Sequence, residues 1–298
     1  MTDEIDQAWA DFAGVRPRLF GIAYRMLGSV EEAEDVVQDT WIRWQGCDRS
    51  EVRSAAAFLT TTTTRLAINV AKSARARHET YVGPWLPEPV DTGADPQLGA
   101  ERGAVLEFAV LLLLEKLNNS LQRAAYVLRE AFDYPYAQIA DILGTSEVSA
   151  RQLVSRARKH LADEHRAPVS AEEQRRLLGA FLVAARTGDL AVLEGLFAQD
   201  VVSLSDGGGA VRGVSRIPVR GRATVAKYLR AFANRFWTGV DITFIEANGQ
   251  ASALLSRDGT AFAVMTATAS TDGIEQLLWM MNPAKLAGVA PATDSTRR

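Results

Sequence analysis

One cysteine, three histidines and no long apolar run set the first limits on this 298-residue chain. The lone Cys47 has no partner for an internal disulfide, which fits a reducing compartment. The acidic start, with Asp3, Glu4 and Asp6, is unlike the basic head of a secretory signal. The longest apolar run, residues 108–114, falls far short of the roughly 20 residues that span a membrane. A soluble cytoplasmic protein without membrane contact is the expectation. Prolines are few, yet Pro84, Pro87, Pro89 and Pro96 crowd into residues 79–103. Proline fixes φ and removes an amide donor, so that stretch is excluded from helix and reads as a linker. Within it, Trp85-Leu86-Pro87-Glu88-Pro89 is too apolar for a passive spacer.

What is present suits two or three domains, with 47% hydrophobic residues to build their cores. A net charge of -3 argues against a protein that coats nucleic acid indiscriminately, but the charge is unevenly spread. Residues 65–78 carry Arg65, Lys72, Arg75 and Arg77 without a carboxylate. Residues 31–39 hold Glu31, Glu32, Glu34, Asp35 and Asp39 without a base. One face for an anion and another for a cationic partner follow within a single small domain.

Three blocks separate by pattern. Residues 8–78 are helical: Ala33, Val36, Val37, Thr40, Trp41 and Trp44 recur at three- and four-residue steps, which leaves Glu31, Asp35, Gln38 and Asp39 on the opposite side. Helical pattern returns over residues 104–166, where Asn119 with Gln122 three residues later forms a capping box. Residues 170–290 mix helix and strand. Two helices broken at Gly188 fill 171–197, strands are expected at 201–204, 241–246, 261–268 and 274–281, and another helix at 223–236.

The sharpest local signal is residues 136–159, YAQIADILGTSEVSARQLVSRARK. Ile139, Ala140, Ile142 and Leu143 make the inner side of a first helix, Gly144 tolerates a turn with positive φ, and Ala150, Leu153, Val154, Ala157 and Leu161 stripe a second helix. Ser149, Arg151, Gln152, Ser155, Arg158 and Lys159 are left facing outward. On a helix laid in the major groove, Arg151 and Gln152 address base edges while Arg158, Lys159 and the hydroxyls hold phosphates. A helical hairpin with a solvated basic face satisfies the same spacing, and Arg156 sits at the edge of the apolar stripe.

At this point the chain resembles a family. FGIAYRMLGSVEEAEDVVQDTWIRW at 20–44, the basic helix at 61–78 and the helix-turn-helix ending RARK resemble regions 2 and 4 of extracytoplasmic-function sigma factors, in that order. WLPEP at 85–89, DGGG at 206–209 and NPAKL at 282–286 narrow the likeness to the subgroup with a fused SnoaL-like domain. The sequence departs from the family pattern at Phe58, Asn69, Val70, Asn118, Asn119, Gln122, Ala210 and Ala284.

The resemblance implies a multidomain chain: an all-α region 2 bundle, an all-α region 4 helix-turn-helix, and an α+β SnoaL-like cone with a curved sheet. It implies docking of Asp35, Gln38 and Asp39 on the arginine-rich β′ clamp of core RNA polymerase, contact with the β flap, and binding of promoter DNA. Arg65, Asn69, Lys72, Arg75 and Arg77 become the track for the minus-ten strand, with base capture by the loop at 45–53, and the helix-turn-helix set reads the minus-35 element. Trp85, Leu86, Pro87, Glu88 and Pro89 are expected to meet Asp206, Gly207, Gly208, Gly209, Asn282, Pro283, Lys285 and Leu286 at a regulatory interface anchored by Trp85, unless Trp85 packs into its own domain.

The expected function is that of an alternative sigma factor, not an enzyme, whose third domain modulates it in cis, with no metal and no cofactor. With no histidine after His165 and Asp206 in a glycine-rich loop, an acid-base pair for cyclase chemistry is lacking. A small molecule in the cone is compatible with regulation. The competing reading is a ligand-sensing helix-turn-helix regulator that does not bind core polymerase.

Overall fold

The computed structural model describes residues 2–92, 108–162 and 169–289, with the side chains of residues 2–5, 75–79 and 108–109 left aside. The chain divides into two compact units, Met1–Glu79 with Pro96–His165, and Thr80–Asp95 with Arg166–Arg298. Among the described residues no helix is long and apolar enough to cross a membrane.

The first unit is helical: α1 (Thr2–Ala13), α2 (Arg16–Leu27), α3 (Val30–Gly46), α4 (Ala55–Glu79), α5 (Phe108–Lys116), α6 (Ser120–Glu130), α7 (Tyr136–Leu143) and α8 (Glu147–Ala162). Local chemistry sets the boundaries. Gly28 ends α2 in the left-handed region, and the Ser29 hydroxyl then accepts from the Glu32 amide to start α3. Asn119 caps α6 by accepting from the amides of Leu121 and Gln122.

The two helical blocks, set apart by the sequence reading, share a core: Ile22 of α2 packs with Ala125 and Leu128 of α6, Ile139 and Ile142 of α7, and Val154 of α8. Two buried arginines strengthen that seam. Arg25 donates to the Gly21 carbonyl (2.9 Å) and lies 5.0 Å from the Phe132 ring centre. Arg123 donates to the Met26 carbonyl (2.8 Å) in the last turn of α2, where helical carbonyls lack intrahelical partners, and to Glu115 (2.6 Å).

The second unit is α+β: α9 (Ala171–Thr187), α10 (Leu190–Leu196), β1 (Phe197–Asp206), β2 (Val219–Arg220), α11 (Arg222–Phe236), β3 (Asp241–Ala247), β4 (Gln250–Arg257), β5 (Thr260–Ser270) and β6 (Gly273–Met280). Its sheet runs β2-β1-β6-β5-β4-β3, with β1 and β6 parallel and the other neighbours antiparallel. Asn248-Gly249 and Asp258-Gly259 turn the β3–β4 and β4–β5 hairpins with positive φ at both positions, as tight hairpin turns require. The helices cover one face around Phe181, Phe197, Leu255, Met265 and Trp279. Gln174 ties α9 to the sheet by donating to the carbonyls of Ala251 and Ala267 (3.0 and 2.9 Å).

Three sequence expectations change. The strands β2 and β4 join the four expected ones. Asp206 is the final residue of β1, paired with Met280, and not part of the glycine loop. Residues 80–92, expected as linker, fold with the second unit: Asp91 bridges Ala247, and the Val90 amide donates to Asn248 (2.9 Å).

Candidate nucleic-acid and polymerase interface

The acidic side of α3 is free. Ala33, Val36, Val37, Thr40 and Trp44 are buried, so helical geometry sends Asp35, Gln38 and Asp39 outward, where all three are exposed. No side-chain hydrogen bond or ion pair engages them among the described residues. Trp44 is wholly buried and donates from its indole to the Ala8 carbonyl (3.0 Å). Trp41 is only half-buried, with ring centres 5.4 Å from Trp9 and 4.9 Å from Phe12.

On α4, Arg65, Asn69 and Lys72 are exposed at four- and three-residue steps along one side. Arg75 and Arg77 lie outside the residues whose side chains are described. Arg65 does not stand free in this structure. Its guanidinium donates to the carbonyls of Ile142 (3.0 Å) and Asp141 (3.4 Å), and so caps the negative end of α7, the first helix of the helix-turn-helix. Thr60 of α4 also meets the Tyr134 hydroxyl (3.3 Å). Within the loop at 45–53, Asp48 accepts from the amide and hydroxyl of Ser50 (3.0 and 2.6 Å). Those bonds lower its carboxyl pKa below the ordinary value and hold the turn Arg49–Glu51.

The helix-turn-helix is built on Gly144, left-handed at φ 65°, where the Thr145 amide returns to the Ala140 carbonyl (2.9 Å). Ala150, Val154, Ala157 and Leu161 are buried, and Gln152, Ser155, Arg156 and Lys159 are exposed without side-chain partners among the described residues. Ser149 is half-buried and bonds the Ser146 hydroxyl (2.9 Å). Arg151 pairs with Glu147 and sits 4.5 Å from the Tyr136 ring centre, which pre-orients it. Arg158 is engaged with Glu130 (3.1 and 2.7 Å). Of the expected reading set, Gln152, Ser155 and Lys159 are therefore the ones free to meet a ligand without breaking a contact.

The three remaining motifs come together on the second unit around Asp206, which is wholly buried. Its carboxylate accepts from the Tyr81 hydroxyl (2.5 Å), the Leu86 amide (3.0 Å), the Gly208 amide (3.0 Å) and the Lys285 ammonium (2.9 Å). Lys285, 8% exposed, also donates to the Leu86 carbonyl (2.7 Å) and lies 4.2 Å from the Trp85 ring centre. Asn282 donates to the Tyr81 hydroxyl (2.9 Å) and caps the short turn Pro283–Lys285. Burial, and then the bond to Asp206, push the Tyr81 phenol well above the ordinary tyrosine range.

The side chain that buries itself is not Trp85, which is half-exposed under Lys285, but Leu86 at 1% exposure, flanked by buried Pro87 and Pro89. Leu286 is buried, whereas Glu88 is half-buried and Pro283 is exposed. Gly207 faces Val211 and Val214 of its own loop, and Gly209 faces Val82. Tyr81 escaped the sequence reading. The only signal was its position just before the WLPEP string.

Gly208 has φ 60°, and a Cβ there falls 2.6 Å from Asn282. Gly208→Ala is expected to lower stability by about 1–3 kcal/mol, measured as a lower denaturation midpoint at unchanged slope. A midpoint equal to that of the parent chain refutes this.

Residues 12–77 match the family described as Sigma-70 region 2, and residues 108–161 that described as Sigma-70, region 4. The chain is similar to the ECF RNA polymerase sigma factor SigJ of Mycobacterium tuberculosis, with 35% identity over 294 residues, 94% of this chain and 93% of that one. It is also similar to the probable ECF RNA polymerase sigma factor SigI of the same organism, with 30% identity over 270 residues, 82% of this chain and 90% of the relative. Among solved structures, it is similar to the crystal structure of Mycobacterium tuberculosis extracytoplasmic function sigma factor SigJ. The TM-score is 0.75 at 32% identity, with 94% of this chain and 98% of that one covered.

Proposed function

This chain belongs to the extracytoplasmic-function sigma factors, and from that premise we propose that it docks core RNA polymerase through α3, reads promoter DNA through α4 and α8, and is tuned in cis by its C-terminal unit. Asp35, Gln38 and Asp39 meet the β′ clamp, the region 4 helices meet the β flap, and the protein acts in the cytoplasm without catalysing a reaction of its own. The observation that carries this reading is the pair of faces left free on one helical unit: the acidic side of α3, and Gln152, Ser155 and Lys159 on α8. A sigma factor needs both, because the enzyme supplies the chemistry and the subunit supplies docking and base readout.

The case for tuning is one of chain length. Residues 80–92 lie in sequence between the two sigma regions, yet they are tied to the C-terminal unit through Asp206, Lys285 and Asn248. Each residue released adds at most about 3.6 Å of reach between regions 2 and 4. A tethered clasp acts at high effective concentration, so modest contacts suffice to hold the short form.

Reconstituted transcription with core polymerase on a genomic promoter library tests the main reading. Promoter-directed initiation is expected, with an affinity that falls linearly as salt rises on logarithmic axes. Independent migration of chain and core enzyme, with promoter DNA left closed, rejects it. Truncation after residue 167 tests the tuning. Unchanged initiation and unchanged promoter opening reject a regulatory role for the C-terminal unit.

A further inference from the structure

The C-terminal unit holds a cavity of about 390 Å³, bounded by α11, the loop at 211–214 and residues of β1, β4, β5 and β6. That volume lies within the range of small-ligand sites, roughly 300–1,000 Å³. We propose that it binds a small ring-bearing carboxylate, an apolar acid held by aromatic walls below a cationic mouth. The proposal deepens the regulatory reading of this unit and rests on it for its biological sense, although the binding itself requires no polymerase.

The walls are aromatic and already assembled. Phe236 packs edge-on against Trp237, Phe262 and Trp279, with ring centres 4.9, 5.8 and 5.7 Å away. The Trp279 indole N–H is used by the Ser203 hydroxyl (3.2 Å), which fixes that ring and leaves its carbon surface to the cavity. Such a box favours a flat hydrocarbon, because burying apolar area is the main gain and aromatic rings add directional contacts.

The charge at the mouth has one sign. Arg212, Arg235 and Arg257 line the cavity, and among the described residues no carboxylate or imidazole does. Arg257 is fixed by the carbonyls of Phe236 and Thr238 (2.9 and 3.3 Å) and lies 5.0 Å from the Phe262 ring centre. Arg212 and Arg235 are exposed and make no ion pair or hydrogen bond among the described residues. Two guanidinium forks without a counter-ion among the described residues, beside an apolar box, suit a carboxylate held by charge-assisted hydrogen bonds.

A separate observation points the same way. Ser205 lines the cavity at 8% exposure, and its hydroxyl has no hydrogen-bond partner among the described residues. The hydroxyl is therefore open to the cavity, where it can donate to or accept from a ligand atom. The site is also continuous with the clasp: Ser205 precedes Asp206, and Met281, another lining residue, precedes Asn282.

The test is calorimetric titration of the full chain with 2-naphthoate and with its uncharged counterpart, 2-naphthylmethanol. The acid is expected to bind at least about tenfold more tightly, the gain from a hydrogen bond to a charged group. Arg212→Gln with Arg235→Gln is expected to erase that preference, and Ser205→Leu to abolish binding of both compounds. The arginines are exposed, so their replacement leaves the fold intact, checked by an unchanged melting temperature. Equal affinity for acid and alcohol overturns the proposal. So does absence of heat from either compound up to about 1 mM, or full retention of naphthoate binding in Ser205→Leu. Because no polymerase is present, these outcomes are independent of the transcription results.

Discussion

Replacing Asp206 with alanine is expected to destabilise the C-terminal unit by about 3–5 kcal/mol and to free residues 81–91 from its surface. The carboxylate is wholly buried and accepts four hydrogen bonds, from Tyr81, Leu86, Gly208 and Lys285. Without it, the Lys285 ammonium loses a carboxylate in direct contact, while the Leu86 carbonyl (2.7 Å) and the Trp85 and Tyr81 rings (4.2 and 5.1 Å) offer only dipoles and ring faces. Removing a carboxylate that directly faces a buried cation is among the costliest single changes in a core.

Two measurements check the result: a denaturation midpoint, and hydrogen exchange at the amides of Leu86 and Val90. Both amides are protected here by side-chain acceptors, Asp206 and Asn248 respectively. The Leu86 amide is expected to exchange fast in the variant. A stability within about 0.5 kcal/mol of the parent chain, the usual range of a neutral surface change, contradicts the reading of the clasp. The double replacement Asp206→Leu with Lys285→Met discriminates further. It removes both charges together, so it is expected to cost far less than the alanine variant alone. If losing the clasp also changes promoter opening in reconstituted transcription, stability and tuning are joined through the same side chain.

How much of this was legible in the sequence depends on whether a residue's partner is local. The buried stripe of α3 was legible because helical periodicity is local, and its complement Asp35, Gln38 and Asp39 follows by geometry. The turn at Gly144 was legible because left-handed φ favours glycine. β4 was overlooked although Asn248-Gly249 and Asp258-Gly259 bracket it. Residues 251–255 are buried on both sides, so no alternation of period two remains to be read.

Extended segments hide their register in the same way. Nothing local says that Leu86, rather than Trp85, turns inward, because that depends on where Asp206 and Lys285 grip the backbone. Arg65 is harder still. Its position in a basic run suggests a phosphate partner, but its acceptors are carbonyls at the end of α7, more than seventy residues along the chain. The shared core of the two helical blocks rests on contacts of the same long range, such as that of Ile22 with Leu128.

Charge reversal on α3 carries the second large effect. Asp35→Lys with Asp39→Lys is expected to weaken binding to core polymerase by about 100-fold or more at low salt, since like charges brought together at an interface cost several kcal/mol. The effect is expected to shrink as salt rises, because exposed charges are screened within about 10 Å at 0.1 M. Both carboxylates are exposed and unpaired within the described residues, so the fold has no contact to lose and the circular dichroism spectrum should not change. Neutral replacements, Asp35→Asn with Asp39→Asn, remove attraction without adding repulsion and should give a smaller loss. DNA binding through α8 is a separate property, and Gln152, Ser155 and Lys159 remain as they were. A variant that lost promoter-directed initiation while keeping duplex affinity would therefore assign the loss to docking alone. Undiminished binding of the reversed chain to core enzyme would instead remove α3 from the interface, and with it the physical basis for calling this acidic face a polymerase site.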